Sequence, residues 1–223
     1  MTYMKDLYRF FDELAANNNR PWFEANRHRY QELRELWLAD VDRMIQAMTV
    51  WEPGLATQTA KSAAYRIYRD TRFSSDKTPY KTHFSASVSP YGRKTDHAGY
   101  YIETGIARTY DQGVYAGLWA LEPAMLRKLR HAIVDNIEEW EEIVNAPEML
   151  KEFPDWCSSM LKTIPKGWER DHPQAFYLRM TNYGKFQHLD RDFFSRPDWP
   201  EAAADKFRIL KPMVDFLNYS MDE

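Results

Sequence analysis

The sequence contains a single cysteine, Cys157, which excludes an intrachain disulfide and a zinc site built from cysteines. It has no run of about 18 apolar residues, so we expect no membrane-spanning helix. The first residues, MTYMKDLYRFFDELAANNN, carry charges among their apolar positions and lack the hydrophobic core of a signal peptide. We therefore expect a cytoplasmic protein without a membrane partner.

Motifs that mark several well-known chemistries are also missing. The patterns GxxxxGK[ST] and GxGxxG do not occur, which argues against a P-loop or Rossmann nucleotide site. The GxSxG elbow of serine hydrolases and the HExxH zinc motif are absent as well. Because the six histidines are scattered along the chain, we predict no metal site, and the sequence leaves any cofactor undefined.

The distribution of charge is more informative than its total. The formal net charge is −3, so the protein as a whole is not a general nucleic-acid binder. Residues 61–94, however, hold eight lysines and arginines against two aspartates, whereas residues 132–156 hold eight acidic residues and one lysine. Residues 61–94 are therefore the segment best suited to an anionic partner.

Hydrophobic periodicity predicts helices at both ends of the chain. Apolar residues recur at helical spacing before the sequence NNNRP, and again from Pro21 over about seven turns. Proline suits the first turn of a helix, which supports a helix start at Pro21. Further helices are predicted from Pro123, from Pro147 to Leu161 and from Pro200 to Tyr219.

Between residues 62 and 120 the pattern changes to short segments rich in β-branched and aromatic residues. AAYRIYRD, KTHFSASVS, GYYIETGI and GVYAGLWA are separated by SSDKTP, PYGRKTDHA and ARTYDQ, which are typical of turns. AFYLRMTNYGKFQHL offers one or two more strands. Short links require antiparallel pairing. The predicted class is α+β, with an antiparallel meander of about four to six strands flanked by N-terminal and C-terminal helices.

The chain shows no repeat and no linker. A length of 223 residues is enough to bury a sizeable core in one domain. We therefore predict a single α+β domain over residues 1–223, helical in 1–55, mainly β in 62–120, and helical with room for extra strands in 122–223.

We name residues 66–82, RIYRDTRFSSDKTPYKT, the basic turn, because three arginines and two lysines surround a predicted chain reversal. Strand alternation places Arg66 and Arg72 on an exposed face and directs Ile67 and Phe73 toward the core. Clustered cations repel one another unless counter-charges neutralise them. Two explanations stay open: an ion-pair network with carboxylates, or a phosphate or carboxylate ligand, which arginine binds with its planar guanidinium.

A second stretch, PKGWERDHP at residues 165–173, has related chemistry on a smaller scale. Gly167 can adopt positive φ and present backbone N–H groups to an anion. His172 can act as a general acid or base near neutral pH. The structural alternative is a loop closed by Pro173, in which His172 is bonded to a backbone carbonyl.

The basic turn resembles the signature block of a conserved bacterial and fungal family, the domain of unknown function 2461, in its spaced arginines and in DKTPYK. NNNRPWFEANRHRY and PKGWERDHP extend the resemblance over most of the chain, with Trp168 where a tyrosine is expected. The resemblance implies the position of a site and no reaction. The positions it implies are Arg66, Arg69, Arg72, Phe73, Asp76, Lys77, Pro79, Tyr80, Lys81, Lys166, Gly167, Asp171 and His172.

We expect the protein to bind a phosphorylated or other anionic ligand in a cleft lined by arginine and lysine. Whether it is an enzyme is left open, with Asp76 and His172 as the acid–base candidates. The alternatives are a non-enzymatic interaction or homodimerisation module using the same basic surface, and weak nucleic-acid binding through arginines beside aromatic rings. The oligomeric state is undefined. The expected ligand-binding residues are Arg66, Arg69, Arg72, Lys77, Tyr80, Lys81, Lys166, Gly167, Asp171 and His172.

Overall fold

A computed structural model describes residues 3–106 and 112–222. Within them the chain forms a four-stranded antiparallel sheet, and helices precede its first strand and follow its last strand in sequence. This confirms the predicted α+β class. The strands, in sheet order, are β1 (His83–Val88), β2 (Gly99–Gly105), β3 (Gly113–Leu118) and β4 (Tyr183–His188). The helices are α1 (Met4–Ala16), α2 (Arg20–Ala25), α3 (Arg27–Met48), α4 (Ala60–Ala63), α5 (Pro123–Asp135), α6 (Ile137–Val144), α7 (Pro147–Glu152), α8 (Ala175–Leu178), α9 (Arg191–Ser195) and α10 (Trp199–Asp222), with a 3-10 turn at Pro53–Leu55.

The N-terminal helices follow the predicted apolar spacing with one interruption. Asn19 caps α2, because its side-chain oxygen accepts a hydrogen bond from the Trp22 amide. The single long helix predicted from Pro21 is wrong, since the chain leaves helical geometry at Asn26 between α2 and α3. The Asn26 side-chain amide donates to the Trp22 carbonyl oxygen, and such local bonds compete with the helical backbone pattern.

The segment AAYRIYRD does not form the predicted strand: its first residue, Ala63, ends α4, and the rest contributes two isolated bridges. After α4, its backbone pairs with β1 at Ala64–Ala86 and with the segment before β1 at Tyr68–Tyr80. Between these bridges four residue steps on one side oppose six on the other. A regular ladder cannot absorb that difference, so the pairing is interrupted as at a β-bulge. Apart from Gln112, the turn predicted at ARTYDQ lies outside the described residues.

The helix predicted at 147–161 is wrong beyond its first six residues. Helix α7 ends at Glu152, two residues before Pro154, and proline disfavours helical geometry in the residue that precedes it. Asn136 separates α5 from α6. The sequence AFYLRMTNYGKFQHL supplies α8 and one strand, β4. Helix α10 continues through Pro212 without interruption.

Two compact units are distinguished by their internal contacts: Met1–Arg93, Tyr101–Val114 and His188–Asp205 in the first, and Lys94–Tyr100, Tyr115–Gln187 and Lys206–Glu223 in the second. In the first, the ring of Phe84 lies against those of Phe11 and Trp37, with centroids 5.0 and 5.4 Å apart. In the second, the ring of Trp140 lies 5.0 Å from that of Phe216. The predicted single domain stays a prediction.

Within residues 3–106 and 112–222, none of the helices has the length and apolar character needed to cross a membrane.

Candidate functional site

Arg69 of the basic turn is used to close the turn itself. Its half-buried guanidinium donates to Asp76 Oδ2 at 2.8 Å and to the Thr78 carbonyl oxygen at 3.1 Å, and it also contacts the Thr78 hydroxyl. The Asp76 carboxylate in turn accepts a 3.0 Å bond from the Thr78 amide. The structure therefore places Arg69 and Asp76, two of the expected site residues, in an internal network.

Two further cations of the basic turn are engaged locally and at the surface. The Arg72 guanidinium forms a bidentate pair with Asp70, at 3.0 and 2.7 Å. This arginine holds the pKa of Asp70 down, at about 2. Lys77 donates to the Thr71 carbonyl oxygen at 2.9 Å. Phe73, expected to face the core, is 95% exposed, because it lies beyond the Tyr68–Tyr80 bridge in a segment that forms no strand.

Tyr80 is a core residue. It is 3% exposed, and its ring is stacked on that of Phe23 with centroids 4.0 Å apart. The side-chain amide of Asn18 bonds both backbone groups of Tyr80, accepting from its N–H at 3.1 Å and donating to its carbonyl oxygen at 2.9 Å. These contacts fix the position of the backbone at Tyr80, immediately before Lys81.

Lys81 is half-buried beside an aromatic ring. Its Nζ lies 5.1 Å from the centroid of the Tyr65 ring, and the Arg93 guanidinium carbon lies 5.0 Å from the same centroid. Arg93 is held by a 2.7 Å bond to the Ala64 carbonyl oxygen. Within residues 3–106 and 112–222, the Lys81 ammonium forms no hydrogen bond or ion pair, and neither does the exposed Arg66 guanidinium. We call Arg66, Lys81 and Arg93 the cationic rim.

Three ionisable side chains of β1 and β2 lie next to the cationic rim. Tyr101 and Glu103 occupy alternate positions of β2 and therefore share one face of the sheet. The Tyr101 hydroxyl donates a 2.5 Å bond to Glu103 Oε2, and His83 Nδ1 of β1 lies 3.6 Å from Glu103 Oε1. Glu103 is 8% exposed. We call Lys81, His83, Tyr101 and Glu103 the acid–base cluster.

Burial perturbs the members of this cluster. The pKa of Lys81 is lowered, first by burial and further by the charges of Arg66 and Arg93, while Glu103 opposes the shift. Burial raises the pKa of Glu103, against the bond from Tyr101 and the charge of Lys81. Burial and Lys81 lower the pKa of His83 to about 4, so His83 is neutral at pH 7. Perturbed groups gathered in this way are typical of functional sites.

The loop at residues 166–172 belongs to the second unit, whereas the basic turn belongs to the first. The Trp168 ring lies between two imidazoles, with centroids 4.6 Å from His131 and 5.1 Å from His172. His172 Nδ1 accepts a 3.2 Å bond from the Gln174 amide. Among the described residues Asp171 is not bonded to His172. The ligand-binding role expected for Lys166, Gly167, Asp171 and His172 stays a prediction.

Gly167 adopts the expected positive φ, at 105°, and a Cβ there would meet no atom within 4 Å. Lys166 and Asp171 are exposed on either side of it. The loop therefore has the backbone form predicted for it, while its anion-binding role stays a prediction.

Sequence reasoning missed four residues that surround Lys81: Tyr65, Arg93, Tyr101 and Glu103. The available signal was the alternation in GYYIETGI, which places Tyr101 and Glu103 on one face and Tyr100 and Ile102 on the other. Within residues 3–106 and 112–222 no three histidine, cysteine or acidic side chains are arranged to hold a metal ion.

The family model described as conserved hypothetical protein, DUF2461, matches residues 6–216. No curated protein and no solved structure matches significantly.

Proposed function

The chain belongs to the DUF2461 family of conserved hypothetical proteins, and we propose that it binds a small anionic molecule at the cationic rim. The observation that carries this proposal is the Lys81 ammonium, half-buried and without an ion pair among the described residues. The ligand class is a carboxylate or a phosphate, in keeping with the expectation from the sequence.

The electrostatics of the rim favour an anion. Burying a charged group costs free energy unless a partner of opposite charge or a hydrogen bond compensates for it. Arg66 and Arg93 add repulsion to that cost, as the lowered pKa of Lys81 reflects, and Glu103 compensates only from a distance beyond direct pairing. A bound carboxylate or phosphate supplies the missing contacts and relieves the repulsion.

The groups around Lys81 suit a small ligand. Arginine presents several N–H donors in a plane that fits two oxygens of a carboxylate or phosphate. The Arg66 guanidinium is exposed and unpaired among the described residues, and Arg93 uses one nitrogen on Ala64. The Tyr65 ring provides an apolar surface beside both Lys81 and Arg93.

The test is a thermal-shift titration with phosphate, sulfate, pyruvate and citrate in low-salt buffer. A ligand at about a hundred times its Kd stabilises the folded state by about 2.7 kcal/mol. For a chain of this size, that corresponds to a rise in Tm of roughly 5 to 10 °C. We expect Lys81→Met and Arg66→Met to lose most of the shift.

Matched controls use exposed cations outside the rim. Lys61→Met and Arg9→Met remove one positive charge each from the first unit, at exposed positions. They are expected to keep the full thermal shift. An equal loss of the thermal shift in all four variants means that anion binding depends on the net charge of the protein alone, and the proposed site is then wrong.

A second candidate is an interaction module, which one observation favours. Phe73 is 95% exposed, and the guanidinium carbon of Arg72 lies 5.7 Å from the centroid of its ring. An exposed aromatic ring beside an arginine is a common anchor of protein interfaces. Sedimentation of the wild type and of Phe73→Ser over a range of concentrations tests homodimerisation; a self-association lost in Phe73→Ser supports this module.

A further inference from the structure

We infer that Lys81 is the nucleophile of an imine-forming site whose substrate is a 2-oxo acid. The inference rests on the proposed anion site, since the substrate carboxylate is bound by the arginines of the rim while its carbonyl carbon faces the Lys81 amine. It adds a covalent reaction and a substrate class to that site.

The surroundings of Lys81 suit a reactive amine. Its Nζ has no ion pair or hydrogen bond among the described residues, so no bond has to break before the amine attacks. The charged groups that act on it are Arg66 and Arg93, which favour the neutral amine, and Glu103, which favours the ammonium. Lysines that react with carbonyls are activated by burial and by a neighbouring cation in this way.

Lys185 provides an internal contrast. It is 1% exposed, burial lowers its pKa to about 8, and its Nζ donates a 2.8 Å bond to the Phe153 carbonyl oxygen. A lowered pKa is therefore shared by two lysines, but only Lys81 combines it with partial exposure and an unbonded nitrogen among the described residues. The inference depends on this geometry.

Glu103 is the proton carrier for the reaction. It acts on Lys81 through its charge, and among the described residues it does not form an ion pair with the Lys81 ammonium. Burial raises its pKa, so its acid form is more available than that of an exposed glutamate. Tyr101 holds the carboxyl group in place through Oε2, and the neutral His83 lies on the Oε1 side.

The reaction balances with the substrate and these groups alone. The amine lone pair forms a bond to the carbonyl carbon, and the carbonyl oxygen takes a proton from the Glu103 carboxylic acid. The nitrogen then returns one proton to the Glu103 carboxylate. Finally the nitrogen lone pair expels the hydroxyl group, which takes the proton from Glu103 and leaves as water. The products are a protonated imine, water and the Glu103 carboxylate.

Reductive trapping of the full chain tests the inference. The protein is incubated with pyruvate and sodium cyanoborohydride, which reduces an imine to a stable secondary amine, and the modified peptide is identified by mass spectrometry. We expect one adduct per chain, on Lys81, ahead of Lys185 and of the exposed Lys61. Lys81→Arg keeps the charge and is expected to abolish this adduct, whereas Lys61→Arg leaves it unchanged.

Glu103→Gln separates a proton carrier from a structural residue. General acid–base groups contribute on the order of a hundredfold or more to rate, so trapping at Lys81 is expected to slow by about that factor. Circular dichroism and the melting curve check that the variant folds. A folded Glu103→Gln variant that is trapped at the wild-type rate contradicts the assigned role.

The outcomes distinguish this inference from the anion site. A thermal shift with pyruvate that depends on Arg66, without an adduct on Lys81, leaves the anion site in place and overturns the imine. Adducts spread over surface lysines, or on Lys185 as readily as on Lys81, also overturn it. If none of phosphate, sulfate, pyruvate and citrate gives a thermal shift, and none gives an adduct, both proposals are overturned.

Discussion

The Tyr101 hydroxyl and the Glu103 carboxylate, two positions apart on β2, are joined by a 2.5 Å hydrogen bond on a face of the sheet where Glu103 is only 8% exposed. An acidic side chain with so little exposure depends on its donors, because each missing bond leaves an uncompensated oxygen.

Replacing Tyr101 with phenylalanine is expected to destabilise the protein by about 1–3 kcal/mol, since Glu103 loses its donor. The loss should be larger at pH 8 than at pH 4, because the bond is stronger to a carboxylate than to a carboxylic acid. Urea unfolding of both proteins at the two pH values measures it. Tyr65→Phe, which keeps the ring beside Lys81, is the control; an equal loss in that variant contradicts the assigned bond.

His83 should make the protein less stable in acid. Its folded-state pKa is lowered to about 4 from 6.5, chiefly by burial, so the unfolded chain takes up a proton first as pH falls. The resulting loss of stability between pH 6.5 and pH 4 is at most about 3 kcal/mol. His83→Gln should lose less over that window in urea unfolding, with exposed His28→Gln as control. Parallel curves for His83→Gln and wild type would show that His83 is not responsible.

Lys185 should have an effect of the same sign in the alkaline range, where stability again increases with pH. Its folded-state pKa is lowered to about 8 from 10.5 by burial, so the folded protein releases its proton before the unfolded chain does. Stability should therefore rise between pH 8 and pH 10.5, by at most about 3 kcal/mol. Lys185→Met is expected to abolish this rise in denaturant unfolding, and exposed Lys151→Met to retain it. A rise that survives in Lys185→Met assigns the effect to another group.

Arg69 and Arg72 should differ in their effect on stability although they are three residues apart. Arg69→Ala removes a half-buried guanidinium that bonds Asp76 and Thr78, with an expected cost of about 1–3 kcal/mol. Arg72→Ala breaks an exposed, solvent-screened pair with Asp70 and should cost clearly less than Arg69→Ala. Chemical denaturation of the two variants decides the point. Equal costs would mean that the Arg69 network does not hold the turn.

The fold was largely predictable because helix and strand periods are local properties of the sequence. The errors occurred where a single side chain or proline changes the local backbone, as at Asn26 and before Pro154. The predicted strand through Tyr68 failed for a different reason. Unequal spacing between its two bridges depends on the partner strand, which no local pattern shows.

The candidate site was predicted only in part. Arg66 and Lys81 could be identified from charge density. Which cations pair with Asp70 or Asp76, and which are unpaired among the described residues, depends on the shape of the turn. Glu103 was missed because an acidic residue alternating with apolar ones is typical of an exposed strand face. Its surroundings include contacts between residues distant in sequence, such as that of the Tyr65 ring with the Tyr101 ring at a centroid distance of 6.3 Å, which no local pattern shows.

The two bonds between the Asn18 side chain and the backbone of Tyr80 have a consequence for solubility. The asparagine amide offers both N–H donors and an acceptor oxygen, and here it occupies both main-chain groups of Tyr80. Aggregation often begins when a foreign strand pairs with unoccupied main-chain groups at the border of a sheet. At Tyr80, three residues before β1, both main-chain groups are already bonded to a side chain of the same molecule and cannot pair with a foreign strand.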